Sequence, residues 1–255
     1  MCSRFNYPRM RIIEIKETGS TNSWVTENLK DADAPCMVYA LRQTAGRGQR
    51  GNSWEAEPDK NLTASFMLRP ENVAVASQFV ISEAVALAVV DLLRKFNVEA
   101  LVKWPNDVYV GDRKICGILI EHSIMGMGIR RTVAGVGINI NQTLFLSDAP
   151  NPVSLAGITG REYSIPEVAA LLADCVGKRM SLACAADDDG RRGLHEEFVG
   201  MLWRGGDGLY PFFDRKRGEG ISARIMNVAP DGMLTLQTED GELREYAFKE
   251  VEFVL

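Results

Sequence analysis

Lys103-Trp104-Pro105-Asn106-Asp107-Val108-Tyr109-Val110-Gly111-Asp112-Arg113-Lys114-Ile115-Cys116-Gly117 reads as a strand, a rigid bend, a second strand, a tight turn and a third strand. Pro105 biases Trp104 to extended geometry, so the bend holds its lysine, asparagine and aspartate in fixed relation. Gly111-Asp112 between two β-branched runs fits a hairpin turn. A chain that reverses twice over so short a stretch builds an antiparallel ladder. Working outward, apolar runs predict further strands at 10–15, 36–41, 62–68, 100–103, 108–110, 115–120 and 132–140. Helices are predicted at 22–28, 76–96, 165–182 and 192–203. The third of these starts on a capping box, Ser164 with Glu167, and has Pro166 in its first turn. Helices and hairpins in this order predict an α+β fold, a mostly antiparallel mixed sheet packed against helices.

After Trp203 the texture changes. Gly205-Gly206-Asp207-Gly208 is linker-like, and short strands follow at 221–228, 233–238, 242–248 and 251–255, separated by Pro230-Asp231-Gly232 and Asp240-Gly241. Such strands predict a small barrel. The expected division is residues 1–205 and 206–255.

The 255 residues are 46% hydrophobic and 25% charged, which excludes a disordered or disulfide-stapled chain. Lys and Arg number 29 against 34 Asp and Glu, so the net charge of −5 draws the chain toward neither nucleic acid nor anionic lipid. Five cysteines without a Cys-x-x-Cys, and only His122 and His195, give no zinc spacing; no metal ligands are predicted. The N-terminal residues lack a signal-peptide core. The most apolar window, 79–96, carries Glu83, Asp91, Arg94 and Lys95 near one stripe, as in a buried helix with a narrow wet edge. A cytoplasmic location is expected.

Four segments carry candidate chemistry. Gly46-Arg47-Gly48-Gln49-Arg50-Gly51-Asn52-Ser53-Trp54 offers backbone amides and two guanidinium forks for an anion. It scans as a Walker A loop, but Asn52 replaces the lysine and no helix follows. Composition does not separate an anion-facing loop from a mobile surface loop with incidental arginines. Lys103 to Asp107 is either a plain turn or a rigid presentation of charge near Lys114. In Val133 to Asn141, period two puts Ala134, Val136, Ile138 and Ile140 on a core face. Val133, Gly135, Gly137, Asn139 and Asn141 fall on the other, where bare backbone admits either packing or a ligand. Gly19-Ser20-Thr21-Asn22 is an N-cap or a recognition site for a neutral urea-like or amide-like group. No Gly-x-Ser-x-Gly elbow or persuasive Ser-His or Cys-His pair exists. Cations and amides without a nucleophile suit phosphoryl or nucleotidyl transfer, where positioning and charge neutralisation supply the acceleration.

In order and spacing, Ser20-Thr21-Asn22, Gln43-Thr44-Ala45-Gly46-Arg47-Gly48, Lys103 to Asp107, Arg113-Lys114-Ile115-Cys116-Gly117 and Gly137-Ile138-Asn139 resemble the biotin protein ligases (biotin–[acetyl-CoA-carboxylase] ligases). The C-terminal strands resemble the SH3-like domain of that family, and the short stretch before Ser20 resembles its monofunctional class, without a DNA-binding module. The resemblance implies that biotin attacks Mg-ATP to give biotinyl-5′-AMP. A lysine of the biotin carboxyl carrier protein of acetyl-CoA carboxylase, or of a related carboxylase, then displaces AMP. ATP, Mg²⁺ and biotin are the implied small molecules; neither DNA nor membrane is an expected partner, and the protein is a monomer or homodimer. By motif, Ser20, Thr21, Asn22, Gln43, Arg47, Gly48, Gln49, Lys114 and Gly117 are implied to meet biotin. Arg50, Asn52, Trp54, Asn106 and Asn139 are implied to line the nucleotide side, with Trp54 stacking on adenine. Lys114 and Arg47 are the implied catalytic groups, and Asp107, a rigid carboxylate beside Lys114, is the candidate to receive or orient the acceptor lysine. Many relatives carry arginine at the positions of Gln49 and Asn52. The competing readings are a lipoate or octanoate ligase of the same fold and a non-catalytic biotin- or nucleotide-binding module.

Overall fold

The computed structural model describes residues 7–30, 32, 34–126, 128–146, 151–185 and 188–254. Seven strands form the main sheet: β1 (Arg11–Thr18), β2 (Cys36–Gln43), β3 (Leu62–Leu68), β4 (Leu101–Lys103), β5 (Asp107–Val110), β6 (Arg113–Met125) and β7 (Gly128–Ile138). Their order is β1-β2-β3-β7-β6-β5-β4. Only β1 and β2 run parallel; every other pairing is antiparallel, as the repeated hairpins require. β3 is buried along its whole length, as a central strand covered on both faces must be.

One face carries three helices, α2 (Phe79–Arg94), α4 (Ile165–Ala183) and α5 (Asp188–Gly200). With the helical turn that precedes it, α2 makes a stretch, Val75–Arg94, long and apolar enough to cross a membrane by composition, yet two-thirds of its apolar window is buried inside the fold. Its charged stripe is less wet than expected. Glu83 is only 2% exposed and meets His195 of α5 at 2.7 Å, while Asp91 receives Arg179 of α4 at 2.7 Å. Arg179 also pairs with Glu197, so one guanidinium joins three helices. The end of the stripe, at Arg94 and Lys95, faces solvent.

The opposite face carries α1 (Thr21–Asn28), which covers a small cluster of Val25, Val38, Met67 and Val133. Beyond α1 the sheet is bare, and the site lies there. A short α3 (Leu155–Thr159), absent from the sequence-based expectation, is capped by Ser154 accepting from the Gly157 N–H. By contrast, the Ser164 hydroxyl makes no capping bond to α4, so the anticipated capping box is not formed. α5 begins and ends earlier than expected. Trp203 lies beyond it and packs its ring against Tyr109 and Phe253.

The C-terminal sheet has five antiparallel strands in the order β11-β10-β9-β8-β12: β8 (Tyr210–Asp214), β9 (Glu219–Val228), β10 (Leu234–Thr238), β11 (Leu243–Tyr246) and β12 (Val251–Phe253). β8 went unpredicted because Pro211 argues against a central strand. The sheet curls without β11 pairing with β12 among the described residues, so no closed barrel forms. Instead the Tyr246 hydroxyl of β11 donates to Asp214 of β8 at 2.7 Å. The sheet docks on the main one through the Lys103–Asp107 bend, where the Trp104 indole N–H donates to Gly232 O at 3.0 Å.

Candidate functional site

A cavity of about 1300 Å³ opens on the bare face of the main sheet. Its floor is made by the glycines of β6 and β7. Gly117 and Gly137 are cross-strand partners, and the Trp54 indole rests on both. A Cβ at Gly137 would stand 2.4 Å from Trp54 Cε2, and one at Gly117 would stand 2.8 Å from Cζ3. One step along β7, a Cβ at Gly135 would stand 2.4 Å from Asn22 Oδ1. The bare backbone read in the sequence therefore admits the site's own side chains at distances no substituent allows.

One end of the cavity is a polar cluster from α1, β2 and β3. Ser20 occupies the N-cap position of α1, but its hydroxyl makes no capping bond. The cap comes from the neighbouring strand: Gln43 Oε1 accepts from the Thr21 N–H at 3.0 Å and from the Thr21 hydroxyl at 3.2 Å. Ser65, fully buried on β3, lies 2.7 Å from Thr21 Oγ1 and 2.5 Å from Asn22 Oδ1. A hydroxyl has one proton, so only one of these oxygens receives it and acceptor capacity remains for a ligand N–H. Asn22 Nδ2 donates to Leu119 O at 3.3 Å and to Glu121 Oε2 at 2.8 Å, which fixes the amide with its carbonyl toward Ser65.

The other end is charged. Lys114 follows the hairpin turn, and its backbone is held by Asn151 O accepting at 2.8 Å and by the Val153 N–H donating at 2.9 Å. Its ammonium lies 2.7 Å from Asp107 Oδ1, with both side chains largely covered. Asn106 fastens the bend: its backbone carbonyl accepts from Ile118 N, and its Nδ2 donates to Ile118 O at 2.8 Å. Asn139 is likewise engaged, donating to Val153 O at 3.1 Å. Both line the cavity, yet each also holds a neighbouring segment in place.

Between these ends, residues 46–54 form a miniature hairpin. Arg47 bridges to Ser53, Trp54 N donates to Gly46 O, and Gly48 N donates to Asn52 O at 2.6 Å. Arg47 pairs with Glu121 at 3.1 Å. Gly48, Gln49, Asn52 and Trp54 border the cavity; the Arg50 side chain lies outside the described part of the structure. No helix follows the loop, as the failed Walker reading required.

The structure brings together residues that the sequence reading did not single out. Ser65 and Glu121 sit on interior strand positions with no motif of their own. The C-terminal sheet adds Arg215, Phe248, Lys249 and Phe253 to the cavity wall, which only tertiary docking brings there. Lys103 sits in an aromatic cage, 4.8 Å from the Tyr109 ring centre, 5.7 Å from Trp203 and 5.5 Å from Phe253. Burial lowers its ammonium pKa, and Asp107 works in the opposite direction. Cys116, beside this site, is fully buried and its thiol pKa is driven up by desolvation, which leaves it inert as a nucleophile. No group of three His, Cys, Asp or Glu side chains suited to a metal ion comes together among the described residues.

A sequence profile described as the biotin/lipoate A/B protein ligase family matches residues 12–139. A biotin–[acetyl-CoA-carboxylase] ligase of Paracoccus denitrificans is 34% identical over 166 residues, covering 62% of this chain and 68% of the relative. A bifunctional ligase/repressor of Escherichia coli (strain K12) is 34% identical over 122 residues, covering 48% of this chain and 38% of that protein, so less than half of the bifunctional relative is spanned. Among solved structures, the biotin protein ligase from Aquifex aeolicus in complex with biotin and ATP superposes with a TM-score of 0.77 at 23% identity, covering 96% of this chain and 99% of that one.

Proposed function

This chain belongs to the biotin/lipoate A/B protein ligase family, and on that footing we propose that it activates biotin with ATP and transfers it to a lysine of a carrier protein. The observation that carries the reading is the layout of one cavity. A polar cluster at Ser20, Thr21, Asn22 and Gln43, backed by the buried Ser65, stands at one end of it and the Lys114–Asp107 pair at the other. Biotin has that shape: a ureido ring at one end, an apolar chain, and a carboxylate at the other.

A bound ureido group would donate its N–H groups to the oxygens of Asn22 and Thr21 and accept at its carbonyl from hydroxyls. The chain would pass along the Trp54 indole, which covers Gly117 and Gly137, and the carboxylate would reach Lys114. One carboxylate oxygen attacks the α-phosphorus of ATP, the bond to the bridging oxygen breaks, and pyrophosphate leaves. Lys114 and Arg47 would stabilise the charge gathering on the α-phosphoryl oxygens. The indole of Trp54, set on the sheet floor, would give adenine a rigid stacking surface. Asn52, Asn106 and Asn139 border the space left for the nucleotide. In the second half-reaction a carrier lysine attacks the acyl carbon, AMP departs, and Asp107 receives or orients the amine proton.

Mg²⁺ fits as an ion that arrives on the triphosphate, because such ions keep their waters and take one or two protein carboxylates. Asp107 would be the carboxylate to hold it there once Lys114 turned to the substrate. When bound, it neutralises phosphate charge.

The carrier is a biotin-accepting domain of acetyl-CoA carboxylase or a related carboxylase. A lipoate or octanoate substrate fits less well. Neither a dithiolane nor an alkyl end can pair with the buried oxygens of Asn22, Thr21 and Ser65, and unpaired buried polar groups discriminate strongly. The test is biotin-dependent exchange of pyrophosphate into ATP with Mg²⁺, run beside lipoate and octanoate. Exchange with biotin alone is expected; exchange only with a rival acid would overturn the substrate assignment.

A further inference from the structure

Glu121 lies on β6 beyond the last residue paired with β5, opposite Val133 of β7. Its Oε2 accepts two bonds from separate parts of the site: Asn22 Nδ2 at 2.8 Å and Arg47 Nη2 at 3.1 Å. Asn22 belongs to the head-group cluster on α1, and Arg47 to the 46–54 hairpin beside the acyl-phosphate position. We infer that Glu121 is a positioning residue that sets the Asn22 amide for head-group recognition and latches the 46–54 hairpin through Arg47 until an anionic ligand draws that arginine away.

The two bonds differ in strength and in purpose. Asn22 is 3% exposed, and its carbonyl is pressed against Gly135, so a rotated amide would put Nδ2 where Ser65 now donates. Two acceptors, Leu119 O and Glu121, hold Nδ2 on the opposite side. Removing Glu121 leaves Nδ2 only its 3.3 Å bond to Leu119 O, beside the Ser65 contact to the carbonyl oxygen. The Arg47 contact is half exposed on both partners, with side chains 45% and 42% accessible. Such pairs are weak, which suits a contact meant to break. A phosphate offers the guanidinium a bidentate partner that outcompetes a single carboxylate oxygen. Once Arg47 leaves, the whole charge of Oε2 falls on Asn22, so capture of the phosphate tightens the head-group bond.

This inference rests on the biotin reading for the identity of the head group, and the test separates the two. Glu121→Gln keeps an acceptor for Asn22 and removes the charge; Glu121→Ala removes both. Trypsin cleavage after Arg47 and Arg50 in the unliganded protein reads the latch, and calorimetric biotin binding reads the amide. Both variants should be cut about three- to fivefold faster than wild type, as expected for losing a weak ion pair. Biotin Kd should stay within about twofold for Glu121→Gln and rise about tenfold for Glu121→Ala, while kcat for exchange at saturating biotin holds in both. Cleavage unchanged in both variants overturns the inference, as does Glu121→Gln losing biotin as heavily as Glu121→Ala. Were wild type to bind no biotin, the substrate reading would fall, and the cleavage comparison would still decide the latch.

Discussion

Lys114 Nζ and Asp107 Oδ1 face each other at 2.7 Å across the β5–β6 hairpin, each carried on a strand whose backbone is pinned by other segments. On the proposed reaction this pair is the resting arrangement: Asp107 would neutralise the ammonium until a substrate carboxylate or phosphate took its place, and the displacement would free the aspartate. Lys114→Ala should therefore lower biotin-dependent pyrophosphate exchange at least about a hundredfold, with the fold retained. Asp107→Asn should slow transfer from preformed biotinyl-AMP by about a hundredfold. Starting from the adenylate keeps ATP and Mg²⁺ out of that assay, and a normal single-turnover rate would remove Asp107 from the proton transfer.

The glycine floor makes a paired prediction. Neither Gly135 nor Gly137 has a positive φ, so alanine changes only the close approach above the sheet. Gly135→Ala would displace Asn22 and should raise the biotin KM about tenfold. Gly137→Ala would lift Trp54 and should raise the ATP KM about tenfold, the worth of one base stack. Steady-state kinetics with each substrate varied in turn would show the two effects on different KM values.

Arg179 is a stability element remote from the site. Replacing it with alanine strands Asp91 and Glu197 together in a largely covered seam between α2, α4 and α5. The expected cost is about 3–5 kcal/mol in denaturant unfolding, with exchange activity per folded molecule unaltered.

His122 gives a pH dependence. Burial lowers its pKa below the ordinary 6.5, and its Nδ1 lies 2.8 Å from Thr132 Oγ1. The unfolded chain takes up the proton first, so this contribution is intact above pH 6.5 and is lost as pH falls through 6.5 toward the folded value. His122→Asn should flatten that part of the Tm profile; an unchanged slope between pH 7.5 and 5 would rule it out.

Most strands and helices were legible because periodicity records burial directly. β7 and the residues just past it turn Ala134, Val136, Ile138 and Ile140 toward the core, and all four are buried. The charged stripe of α2 misled because a helix cannot announce which neighbour will cover its polar edge; Glu83 is paired within the fold. The site was legible wherever a tight turn or glycine forced particular residues together, as at Gly46–Trp54 and Lys103–Lys114. Ser65 and Glu121 left no local trace, since an isolated polar residue in a strand looks the same whether it faces solvent or a ligand. The wall supplied by Phe248, Lys249 and Phe253 depends on how two sheets dock, which no local pattern encodes.

The hydrogen bond from the Trp104 indole to Gly232 O ties the two sheets together at the bend that aims Asn106 and Asp107. Proteolytic removal of the C-terminal sheet would uncover that indole to solvent and strip one wall from the cavity. A chain severed near Gly205 would keep every motif by which its family is recognised and still lose its chemistry, so counting motifs would misjudge such a fragment.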